Sequence, residues 1–91
     1  MTDTLPPQRT LDDVTALADF ITARVKPLRD AVLSDTDEFR AFQALLELVA
    51  FTSGVASGVS EEGRSPNVQF FCLRATAQRW ADHPDFLPTW K

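Results

Sequence analysis

A chain of 91 residues is long enough for one domain and no more, and at that size folding buries only roughly 60–65% of the surface the unfolded chain exposes. Its composition, 44% hydrophobic and 24% charged, is that of a globular protein and excludes disorder over most of its length. The formal net charge of -4 is spread over scattered acids with no basic stripe, which argues against a nucleic-acid partner.

The order of the chain begins with a loose, polar, proline-containing lead-in at residues 1–9, followed by a single helical domain over 10–91. Thr10 stands as an N-cap with Asp13 in capping-box position and Asp12 favourable to the helix dipole. Leu11, Val14, Ala18, Ile21, Val25, Leu28 and Val32 then recur at alternating spacings of 3 and 4, a heptad seam that predicts a first helix over Leu11 to Leu33. Pro27 removes a backbone donor and crowds the preceding turn, so a kink or restart is expected there.

Ser34-Asp35-Thr36 ends that element and caps a second helix, predicted over Thr36 to Ser57, with Asp35 and Glu38 or Ser34 and Asp37 in capping-box register. Phe39, Phe42, Leu46, Val49, Ser53 and Ala56 form one stripe. Leu48, Phe51, Val55 and Val59 form another on a different side, so this helix needs cover on two faces. Gly54 and Gly58, four apart among small residues, suit either close packing inside the bundle, fraying of the helix end, or a self-association face. Ser60-Glu61-Glu62-Gly63-Arg64 reads as an exposed turn.

Ser65 is expected to cap a third helix, Pro66 to Asp82, with the proline at the first helical position. Phe70, Leu73, Ala77, Trp80 and Ala81 share one side and Val68, Phe71, Cys72 and Ala75 the other, so the helix is apolar nearly all round and reads as buried. Cys72, the single cysteine, is expected as a packed, inert thiol in a reducing compartment. Asp82-His83-Pro84-Asp85 reads as a helix terminator, the cationic form of His83 suiting the negative helix end. Phe86, Leu87 and Trp90 follow as a hydrophobic lid on the bundle or as an aromatic arm for a partner.

Chemistry finds little footing in these residues. One histidine and one cysteine do not make a metal site, no glycine-rich phosphate motif or nucleophile elbow occurs, and no cofactor is implied. A non-catalytic chain is expected. No secretory pattern precedes the domain, and the longest uncharged run, Leu48 to Ser60, falls short of the roughly 20 residues of a membrane helix, so a cytoplasmic location without a membrane partner is expected. Two lysines against seven arginines, one isoleucine, one asparagine and no tyrosine point to a high-GC genome, as in an actinobacterium or one of its phages.

Leu73-Arg74-Ala75-Thr76-Ala77-Gln78-Arg79-Trp80-Ala81-Asp82-His83-Pro84-Asp85-Phe86, with Trp90 four positions on, resembles the C-terminal signature of a family of small actinobacterial and actinophage proteins. In that family a Leu-Arg-Ala helix leads into Tyr-Ala-Asp-His-Pro-Asp-Tyr and a nearby Trp. Ala16 to Val25 is similar to its opening helix. Trp80 and Phe86 stand in place of two tyrosines, and the Cys- and His-containing middle often found in the family is missing. The resemblance implies helical character and origin, and supplies no activity.

The reading that follows is an all-α, small three-helix bundle, with the first helix kinked at Pro27 and the aromatic tail packed on the bundle. Its expected role is a non-catalytic helical protein–protein interaction module, forming a homodimer or binding another protein as a phage-encoded or actinobacterial modulator. The apolar anchors expected at the partner surface are Leu48, Phe51, Val55, Phe70, Phe71, Phe86 and Trp90. Two other readings remain: a DNA-binding helical regulator using Arg74 and Arg79, and a small-molecule sensor with a pocket beside Trp80.

Overall fold

The structure, a computed structural model, describes residues 8–91. It is all-α: helix α1 spans Leu11–Asp30, α2 Asp37–Glu61 and α3 Asn67–Ala77, followed by short 3-10 turns at Gln78–Trp80 and Pro88–Trp90.

The start of α1 follows directly from its sequence. Thr10 Oγ1 accepts the Asp13 N–H at 3.3 Å and Asp13 Oδ2 accepts the Thr10 N–H at 2.8 Å, so two otherwise orphaned donors are satisfied reciprocally. The seam from Val14 to Val25 is buried. No restart occurs at Pro27: α1 runs through it and ends about one turn later, at Asp30 rather than Leu33. Pro27 and Ala23, whose carbonyl loses its partner, are both exposed, so water can take the freed acceptor. Leu28, 45% exposed, lies beyond the covered part of the seam.

Helix α2 is capped by Thr36 alone, whose Oγ1 accepts the Phe39 N–H at 3.2 Å; neither Ser34 nor Asp35 takes that role. The helix continues to Glu61, a turn past the expected end at Ser57. What stops it is Gly63, at φ 78°, a left-handed conformation that glycine adopts without strain. Gly63 N–H donates to Ser60 O at 3.0 Å and Arg64 N–H to Val59 O at 3.2 Å, the paired bonds of a Schellman ending.

Ser65 does not cap α3. Pro66 occupies the cap position without a side-chain bond, and Ser65 Oγ instead donates to Arg9 O at 2.7 Å. Arg9 N–H donates to Asn67 Oδ1 at 3.0 Å, and the Arg9 guanidinium lies 4.3 Å from the Phe70 ring centroid. Gln8 and Arg9 are therefore tied to the α2–α3 corner and belong to the domain; the rest of the expected lead-in, residues 1–7, lies outside the described residues. The α-helical part of α3 ends at Ala77, short of Asp82, because the chain tightens into the 3-10 turn.

α1 is the central element. Val14, Leu17, Ala18, Ile21 and Val25 form one buried cluster with Val49 and Ala56 of α2 and Phe70, Leu73 and Ala77 of α3. Phe20 lies to one side of that stripe and is covered by the tail. Its ring lies 5.9 Å from Phe86 and 5.1 Å from Trp90, and those two rings are 5.4 Å apart. Gln78 Nε2 donates to Trp90 O at 2.6 Å, which closes the lid. His83 is not at an α-helix end, as its cationic role requires, but in the turn after it. Its ring meets Phe20 edge-on, Nδ1 accepts the Asp85 N–H at 3.0 Å, and Nε2 lies against Arg24 Nη1.

Candidate interaction surface

Of the 25 residues in α2, only Val49 and Ala56 are buried. Phe42, Leu45 and Leu46 pack partly against the core, which accounts for one stripe of the helix. The other remains open. Leu48 is 60% exposed, Phe51 70% and Val55 37%. Beside them the outer side of α3 contributes Val68 at 69% and Phe71 at 52%. Phe51, Thr52, Val55, Val68, Gln69 and Cys72 line a shallow groove of about 170 Å³ between the two helices.

The geometry divides the expected anchors into two sets. Leu48, Phe51, Val55 and Phe71 lie open to solvent, the first three on the uncovered stripe of α2 and Phe71 on the outer side of α3. Phe70, Phe86 and Trp90 do not; all three are buried. Phe70 sits on the side of α3 that faces α1, and Phe86 and Trp90 cover Phe20, so they are core residues and unavailable to a partner. Cys72, expected as a packed thiol, is exposed because its side of α3 opens onto the shallow groove beside α2 rather than onto α1. The same fact corrects the expectation that α3 is buried all round. Gly54 and Gly58 also face open space: a Cβ built on either meets nothing within 4 Å, so they serve neither close packing inside the bundle nor the end of the helix.

Val68 is the anchor that the list of expected contacts lacks, along with Ala41 and Ala44, both exposed on α2. Their signal was present as spacing: Ala41, Ala44, Leu48, Phe51, Val55 and Gly58 are separated by 3, 4, 3, 4 and 3 residues. All six are exposed. This is a complete heptad seam that no helix among the described residues covers.

A second, larger cleft of about 620 Å³ lies where the start of α1 meets the α2–α3 corner and is lined by Arg9, Thr10, Ser60, Arg64 and Ser65 among others. Most of the polar groups named are engaged: Arg9 on Phe70, Arg64 with Glu62 at 2.6 Å, Thr10 with Asp13, Ser65 with Arg9 O. Among the described residues no acid, histidine or cysteine lines it, so they supply no acid–base pair there. Trp80, the expected neighbour of a sensor pocket, lines neither cleft and packs partly against the core. Among the described residues no cluster of three or more His, Cys, Asp or Glu side chains is placed to hold a metal ion.

By length and composition α2 is also apolar enough to cross a membrane, with a mean hydropathy of 1.4 over an 18-residue window of which 11% is buried. The expectation from the uncharged run alone overlooked this, because the few charges outside Leu48–Ser60 do not outweigh the apolar residues around them. Comparison of the chain with protein-family models, with curated proteins and with solved structures finds no match.

Proposed function

We propose that the chain is a non-catalytic helical interaction module whose working surface is the outer face of α2 and α3. The observation that carries this reading is the uncovered apolar stripe from Leu48 to Val55, with Val68 of α3 beside it across the groove. Large contiguous apolar patches on small proteins mark binding surfaces, and a helical stripe is read by another helix laid along it. A cytoplasmic location and an actinobacterial or phage origin belong to the same proposal, supported by residue usage and by the resemblance of the Leu73–Phe86 stretch.

The test is capture with the chain immobilised, comparing the natural protein with Phe51→Asp. Phe51 is exposed in the isolated domain, so the variant should keep its helical circular dichroism while losing its bound protein, whether a second copy or another helical chain. Equal capture by both forms would remove this surface from consideration. The regulator reading rests on Arg74 and Arg79 and on no groove-sized basic surface; a salt-sensitive mobility shift on duplex DNA would favour it.

A further inference from the structure

Resting on that reading, we infer that the occupant of the α2 face is a second copy of this chain, with the two α2 helices antiparallel. The seam decides the kind of occupant first. Alternating spacings of 3 and 4 over Ala41 to Gly58 keep one line of side chains facing a neighbouring helix at a shallow crossing angle. Charge then decides its identity and direction.

The edge of the seam remote from α3 carries Arg40, Glu47, Gly54 and Glu61, seven apart and all exposed. In an antiparallel pair of two-fold symmetry, Leu48 lies opposite Phe51 of the second copy, Ala44 opposite Val55 and Ala41 opposite Gly58, each contact occurring twice. The edge then matches itself. Arg40 meets Glu61 of the second copy at both ends, and Glu47 faces Gly54 rather than another acid. Just beyond, Asp37 approaches Glu62 of the second copy, but each already has a cation in its own chain, Arg40 at 2.9 Å and Arg64 at 2.6 Å. A parallel pair places the edge residues across from Leu45, Thr52 and Val59, where neither Arg40 nor Glu47 finds an opposite charge.

Size agrees with such a pair. At about 150–200 Å² per large side chain, the exposed parts of Leu48, Phe51, Val55 and Val68 come to roughly 400 Å². The small residues and the charged edge between and around them bring one copy towards the ~800 Å² per partner of a stable interface. The centre of the surface carries no charge, which is the character of self-association more than of transient contacts with other proteins.

The full chain should therefore be dimeric by multi-angle light scattering at about 50 µM. Arg40→Glu and Glu61→Arg should each raise the dimer dissociation constant about tenfold, since every change acts twice across the two-fold axis. The two together should restore it to within about threefold. In a Cys72→Ser background, a short bis-maleimide should join Ala41→Cys to Gly58→Cys when the two chains are mixed, and should not join Ala41→Cys to itself. Both thiols replace exposed residues, and circular dichroism checks that each variant is folded. A monomeric natural chain that still captures another protein through Phe51 overturns the pairing and leaves the interaction surface standing. A dimer cross-linked through two Ala41→Cys chains overturns the antiparallel arrangement. A dimer that survives Phe51→Asp overturns both this inference and the surface it rests on.

Discussion

Two aromatic regions of this small molecule meet opposite fates. Phe20, Phe86 and Trp90 cover one another at the tail, and the Gln78–Trp90 bond holds their cover in place. Phe51 and Phe71, similar in chemistry, lie open on α2 and α3. The difference is one of supply. α1 lies between the other two helices and receives cover from both, and from the tail on a further side. α2 and α3 each pack fully only against α1 and touch one another along a shallow groove, and nothing in residues 8–91 is left to cover their outer faces.

The comparison breaks most sharply at the core. Phe70→Ala should destabilise the domain by about 3–5 kcal/mol, since it empties a buried site shared by α1 and α3; urea unfolding checks it, and a loss below about 1 kcal/mol would contradict the core described here. Trp90→Ala should fall in the same range and leave Phe20 accessible to solvent. On the open side, Phe51→Asp should change the stability of the monomeric domain by no more than about 0.5 kcal/mol, measured at concentrations where no association occurs. A large loss there would show that Phe51 is covered within its own chain.

Smaller effects sharpen the picture of α2 itself. Thr36→Ala should cost about 1 kcal/mol by removing the bond to the Phe39 N–H, whereas Asp35→Ala should be nearly silent because Asp35 caps nothing. Gly54→Ala should raise stability by about 0.5–1 kcal/mol, because a helical glycine loses more freedom on folding than alanine and the added Cβ meets open space. A loss at Gly54 in the dilute monomer would mean that something in the chain already lies against it.

Much of the fold was legible beforehand, for reasons that sit in particular residues. Thr10 and Asp13 announced α1, the Val14–Val25 seam announced its buried face, and the all-α, three-helix architecture followed. The stop signal read at Asp82 to Asp85 lies past the end of α3, which gives way at Ala77 to the 3-10 turn Gln78–Trp80. The ends of helices were harder to place. A proline in a helix's last turns can be carried by solvent, as at Pro27, and Gly63, not Gly58, takes the left-handed conformation that ends α2.

The interaction surface was half legible. Periodicity shows that Leu48, Phe51 and Val55 share one side of α2 and Val68 and Phe71 one side of α3, but it cannot say which of two opposite stripes on α3 the core will claim. Phe70 was therefore grouped with the partner contacts although α1 covers it. Phe86 and Trp90 admitted two readings, lid or arm, and only their contacts with Phe20 decide between them. Ala41 and Ala44 escaped notice because alanine fits any helical surface; their exposure in register with Leu48 is what gives them meaning.

The cover over Phe20 also imposes an order of events during synthesis. Its covering partners lie far downstream in the chain, His83, Phe86 and Trp90, while the α1–α2 contacts need only the first two helices. A chain that has emerged only as far as Pro84 can already pair α1 with α2 and α3, yet of the rings that cover Phe20 it has only His83. The segment from Phe86 to Trp90 is thus what turns a sticky intermediate into a finished domain.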